Sequence, residues 1–150
     1  MTKYADPCTM RYDFLMSWID DRLTQRRRRG NRDSLIASNA EKIYNELWHE
    51  VNGWIEAAQE KGIDLIPNGS PYERTITLPD PPHSEPRVLT LSLNKAAQLI
   101  SVSGLKSNFQ LKFDVCADNR VCLKRGESEI LLHDAAQQIL DPFIFPEFAS

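Results

Sequence analysis

The chain has 150 residues, 41% hydrophobic and 26% charged, the balance of one ordinary globular domain. No apolar run approaches the ~20 residues of a membrane-spanning helix, and the first 30 residues carry charges throughout rather than the apolar core of a secretory signal. A net charge of −3 excludes general affinity for polyanions, and three cysteines (Cys8, Cys116 and Cys122) are an odd, small set for a secreted disulfide framework, so the compartment expected is the cytoplasm.

Residues 1–10 include Pro7, show little periodicity, and are expected to form a disordered tail. Residues 11–32 read as an accessory basic amphipathic helix. Phe14 or Leu15, Trp18, Ile19 and Leu23 are assigned to one face, and Gly30-Asn31 either ends this helix or bends a longer one. Residues 1–33 hold eight Lys/Arg against five Asp/Glu, a net of +3, whereas the remaining 117 hold ten against sixteen, a net of −6. The basic excess is the run Arg26-Arg27-Arg28-Arg29, flanked by Arg22 and Arg32.

Residues 33–150 read as a single α+β domain. Ile36, Ala40, Ile43, Leu47, Val51, Trp54 and Ala58 recur at the three- and four-residue spacing of one helical face, which predicts a helix over 34–61 buried through Ile43, Leu47, Val51 and Trp54. Leu35, Tyr44, Trp48 and Ile55 widen the stripe. Asp33 or Ser34 can cap its start, and Gly62 suits a left-handed C-terminal cap. Gly53 costs about 1 kcal/mol of helix propensity relative to alanine, which a close packing contact beside Trp54 would justify.

Beyond Gly62 the period changes to two. Residues 63–66 read as a docking segment and 67–71 as a turn. Strands are expected around Tyr72–Leu78, Val88–Leu93, Gln98–Gly104, Phe109–Val115, Val121–Leu123 and Ile130–Leu132, separated first by a proline-rich exposed loop over 79–86 and later by turns at Asp118-Asn119 and Gly126-Glu127. Asp134 is expected to cap a short helix over 135–140 that Pro142 ends. The aromatic tail, Phe143 to Phe148, is expected to pack back onto the domain. The fold class expected is a two-layer α+β sandwich: an antiparallel meander of five or six short strands, covered by the long helix and the C-terminal helix.

The chemistry-bearing residues are few. Arginine forks grip phosphate. Four consecutive residues, however, wrap around a helix and cannot all face one groove, and no aromatic residues interleave with them as on a single-strand platform. The preferred reading of Arg22, Arg26, Arg27, Arg28, Arg29 and Arg32 is a solvated helix end, with partner or phosphate contact as the alternative. Cys116 and Cys122 flank a hairpin turn. A three-residue loop over 118–120 places them opposite each other, while a two-residue loop, Asp118-Asn119, leaves them offset. They are read as reduced, buried small hydrophobes, against a redox switch or metal half-site. Glu46, His49 and Glu50 fall within one helical turn, at most half a metal site on a solvated face.

There is no phosphate loop, no Gly-x-Gly-x-x-Gly and no zinc spacing, and no catalytic, cofactor-binding or metal residue is assigned. The functional expectation is therefore a non-enzymatic interaction or regulatory module that self-associates as a homodimer, with Trp18, Ile19 and Leu23 at the interface. The alternatives are a nucleic-acid-associated protein using Arg22–Arg32, or an enzyme or ligand binder whose site forms only in the fold.

Overall fold

The computed structural model describes residues 7–79 and 85–149, with side chains from residue 16 onward. Residues 1–6 of the expected tail, and residues 80–84 of the proline-rich loop, lie outside the described residues. The chain divides into two compact units, Met1–Leu35 and Ile36–Ser150.

One helix, α1 (Pro7–Glu60), replaces the two expected. Residues 7–10, assigned to the tail, form its first turn. Pro7 suits that position, because the first helical N–H groups have no intrahelical partner. Gly30-Asn31 does not end the helix: the propensity cost of one glycine is about 1 kcal/mol, and the arginines before it are good helix formers. No described helix is long and apolar enough to cross a membrane.

In the second unit α1 buries Ile36, Ala40, Tyr44, Leu47, Val51 and Ile55. This stripe is rotated from the expected one. Tyr44 and Ile55 are core residues, Ile43 and Ala58 are only partly buried, and Trp54 is 37% exposed. A polar anchor accompanies the rotation: the Tyr44 hydroxyl donates to the Leu91 carbonyl at 2.7 Å and lies 3.3 Å from that of Tyr72. Gly53 is exposed and has nothing within 4 Å of where a Cβ would stand, so it serves no close contact. The helix ends in a Schellman motif. Gly62 adopts φ +86°, its N–H bonds the Gln59 carbonyl at 3.0 Å, and the Ile63 N–H bonds that of Ala58 at 3.0 Å.

Among the described residues, seven antiparallel strands follow in strict sequential order: β1 (Ile66–Gly69), β2 (Glu73–Leu78), β3 (Arg87–Asn94), β4 (Leu99–Ser103), β5 (Phe109–Val115), β6 (Val121–Arg125) and β7 (Ser128–Ile130). The α+β meander is as expected, with one more strand than the five or six anticipated. The extra strand is β1, read from sequence as a turn because it contains Pro67 and Gly69. Both are tolerable because β1 is an edge strand with a partner on one side only, Pro67 pairing with Ile76.

Period-two alternation sets the buried face. Ile76 and Leu78 of β2, Leu89, Leu91 and Leu93 of β3, Ile100 and Val102 of β4, Leu111 and Phe113 of β5 and Leu123 of β6 join the α1 stripe in one cluster. The second helix, α2 (Leu132–Ile144), adds Ala135, Ala136, Ile139, Leu140 and Phe143. It starts earlier than expected, so Asp134 lies inside its first turn, where a carboxylate complements the helix dipole, rather than at the cap. It also runs through Pro142, which deletes one backbone bond near the end of a helix already held by five buried side chains. The tail packs only in part: Phe143 is buried, whereas Phe148 is 77% exposed and stacks obliquely on Phe145 at 6.3 Å.

Candidate functional site

Two places gather chemistry. The first is the α1 segment from Met16 to Asn31, in which every residue is exposed. At about 100° per residue, Met16, Ile19, Leu23 and Gly30 fall on one stripe, with Arg26 and Arg27 at its edges. Trp18 does not join Ile19 and Leu23 as expected. It lies on the opposite stripe with Arg22, Gln25, Arg29 and Arg32, at successive spacings of four, three, four and three. The helix is thus two-faced: one stripe is apolar, and the other carries an indole and three guanidinium groups. Arg22 donates to Gln25 Oε1 at 3.1 Å, and Arg32 pairs with Asp33 at 3.2 Å. Arg26–Arg29 pair with no acidic side chain among the described residues.

The second place is the turn end of the β5–β6 hairpin. Cys116 and Cys122 are joined by a disulfide, with Cα atoms 6.2 Å apart, against the expectation of two reduced thiols. Neither anticipated loop occurs. The Asn119 N–H bonds the Cys116 carbonyl at 3.0 Å, and Asn119 itself adopts φ +59°. The Cys116 N–H bonds the Arg120 carbonyl at 2.7 Å. The loop is therefore Ala117-Asp118-Asn119, a turn followed by a left-handed residue, a common three-residue hairpin connection.

That loop sets a register of Val115 with Val121 and Asp114 with Cys122. The cysteines become diagonal neighbours on one face of the sheet, within bridging reach. Because Leu111, Phe113 and Leu123 point to the core, period two places both sulfurs on the other face. Cys122 is nonetheless buried.

The β6–β7 register brings a third donor. Glu129 pairs with Lys124, and the Glu129 carboxylate and the two sulfurs lie within 4.8 Å of one another. Arg120 donates to Glu129 at 2.9 Å and stands 3.5 Å from Asp118. The bond to Glu129 is the main reason the guanidinium is held above its usual pKa. Cys122, Arg120 and Glu129 help line a cleft of about 500 Å³ that also includes Asn39, Lys42 and Glu46. Sequence reading singled out the two cysteines but missed Arg120 and Glu129. Only the register of two successive hairpins reveals them.

Other polar groups serve the fold. Arg74 lies over the rings of Tyr44 at 4.8 Å and Trp48 at 5.5 Å while donating to Asn45 at 2.6 Å, which accounts for a buried guanidinium nitrogen without a hydrogen bond. Glu41 accepts from Lys95 and from Tyr72, so its carboxyl is held below the usual range, the Lys95 bond being the larger cause. Of the helical cluster considered for a metal, Glu46 faces Lys42 at 4.0 Å and His49 is exposed. His133 stacks at 5.2 Å on Trp54. Comparison with known protein families, with curated proteins and with solved structures gives no match.

Proposed function

We propose that this chain is a non-enzymatic interaction module that self-associates through the apolar stripe Met16–Ile19–Leu23 of α1. One observation carries the reading: residues 16–31 form a helix that buries nothing, although Met16, Ile19 and Leu23 are each 40% exposed or more. Isolated helices are marginal in water, and most helical stability comes from packing an apolar face. The same helical face of a second copy supplies that packing with the commonest symmetry, an isologous dimer.

Charge selects the orientation. A parallel pair sets Arg26–Arg29 beside Arg26–Arg29. An antiparallel pair centred on Leu23 packs Leu23 on Leu23, sets Asp20 opposite Arg26, lays Ile19 against the aliphatic stem of Arg27, and sets Met16 opposite Gly30, where no side chain competes for space. Burying each large apolar side chain is worth about 1.5–3 kcal/mol before association costs.

Light scattering coupled to size exclusion tests this. Wild type is expected as a dimer and Leu23→Glu as a monomer that loses part of its helical signal, the share of the unpacked segment, while the sheet still unfolds cooperatively. Leu23→Cys is expected to cross-link to its own copy and Met16→Cys to fail, as an antiparallel pair requires. A monomeric wild type at high concentration refutes the reading.

A second reading has its own observation, the stripe Trp18–Arg22–Gln25–Arg29–Arg32, which offers stacking and phosphate contacts along one helical face. Titrating duplex DNA and single-stranded RNA at two salt concentrations distinguishes it. Three phosphate contacts give a log–log salt slope of about −2 to −3, which Arg22→Ser and Arg29→Ser together would flatten.

A further inference from the structure

We propose that Cys116, Cys122 and Glu129 form a redox-gated binding site for Zn²⁺, closed in the disulfide state and assembled when the disulfide is reduced. Three strands supply the donors: Cys116 follows β5, Cys122 lies in β6 and Glu129 in β7, with the three ligand atoms within 4.8 Å of one another. Two thiolates and a carboxylate match the preference of this borderline-soft ion, and water completes a tetrahedron. The spacing needed is near at hand: at ~2.3 Å from zinc to sulfur and ~2.0–2.2 Å to oxygen, opening the S–S bond lets the ion sit between side chains whose backbones need not move far.

The chemistry balances in two steps. A dithiol reductant gives two electrons and two protons to the Cys116–Cys122 bond, becoming a disulfide itself and leaving two thiols. Zn²⁺ then displaces the two thiol protons. Two thiolates and Glu129 give the bound ion a local charge of −1, which Arg120 at 2.9 Å from Glu129 neutralises. Arg120 also has an alternative anchor, Asp118 at 3.5 Å, when the Glu129 carboxylate turns to the metal. The hairpin is suited to a switch because the bridge spans a sequence separation of only 6, so its chain-entropy contribution is small, about 2–3 kcal/mol, and its reduction leaves the sheet's ladder in place.

The full chain in a Cys8→Ser background isolates this pair. Reduced with dithiothreitol and desalted anaerobically, it is titrated with Zn²⁺ against a chromophoric chelator and with Co²⁺ followed by thiolate-to-metal charge-transfer absorption. The expected result is one equivalent bound to the reduced protein, with the cobalt thiolate band, and none to the oxidised protein. Cys122→Ser is expected to lose the band. Glu129→Gln, which keeps the disulfide and the fold, is expected to weaken binding by at least the ~10–100-fold typical of disturbed metal environments. Equal zinc affinity in the oxidised and reduced states, no cobalt thiolate band, or unchanged affinity in Glu129→Gln overturns the proposal.

Discussion

Removing one oxygen atom tests how α1 is seated on the sheet. Tyr44 is 2% exposed, and its hydroxyl donates to Leu91 at 2.7 Å. Tyr44→Phe deletes that bond while keeping the ring, so the cost depends on what the carbonyl loses. Leu93 N–H bonds the Tyr72 carbonyl at 2.8 Å, and in an antiparallel ladder hydrogen-bonded pairs alternate, so Arg74 and Leu91 form the next such pair. The Leu91 carbonyl therefore keeps a ladder donor when the hydroxyl goes.

The penalty then belongs to the net range for one hydrogen bond, about 0.5–1.5 kcal/mol, rather than to the larger range for an orphaned buried group. Urea unfolding followed by tryptophan fluorescence measures it, with an expected midpoint shift of about 2–4 °C per kcal/mol in a parallel thermal scan. The pH dependence gives a second readout. Burial is the main reason the Tyr44 hydroxyl is pushed up to about 12. Folding thus favours the protonated phenol. That contribution is fully present below the ordinary tyrosine pKa of about 10 and is lost as pH rises through the folded value. The stability difference between wild type and Tyr44→Phe should shrink over that window. A variant as stable as wild type at neutral pH, or a difference constant through the alkaline range, refutes this seating of α1.

Leu47→Ala, at a position 1% exposed, is expected to cost about 2–5 kcal/mol in the same urea assay, and an unchanged midpoint would contradict the buried stripe. The glycines should divide by environment. Gly53→Ala, with open space around it, should stabilise by about 0.5–1 kcal/mol. In Gly104→Ala, at φ +92°, the new methyl overlaps the Val88 carbonyl oxygen, and the variant should be strongly destabilised or fail to accumulate as folded protein. Glu41→Gln removes an exposed pair with Lys95 whose contribution is present above the ordinary carboxylate range and lost as pH falls through Glu41's lowered value. Wild type and variant should therefore converge in acid and in high salt, and a difference that persists in both would contradict the pairing.

Periodicity alone determined the layer architecture. Three- and four-residue spacing from Ile36 onward and strict alternation in Leu89–Leu93 and Phe109–Val115 follow from geometry that acts within a few residues, so helix and strands were legible without tertiary information. What periodicity leaves undetermined is rotation and register. A helix with apolar residues on more than one stripe can roll by tens of degrees. It took the Tyr44 hydroxyl finding the Leu91 carbonyl of β3 to bury Tyr44 and Ile55 and leave Trp54 at the margin. Pro67 argued against a strand until the sheet ended beside it and no donor was required there.

The candidate sites divide the same way. The arginine run and the exposed apolar residues Ile19 and Leu23 of α1 are local features, visible in the order of residues. The grouping of Cys116, Cys122 and Glu129 is not, because it depends on one left-handed residue, Asn119, which lengthens a hairpin loop by one position. With a side-chain period of two, a shift of one residue reverses which groups share a face. Only the assembled ladder of β5, β6 and β7 decided that two sulfurs and a carboxylate would meet.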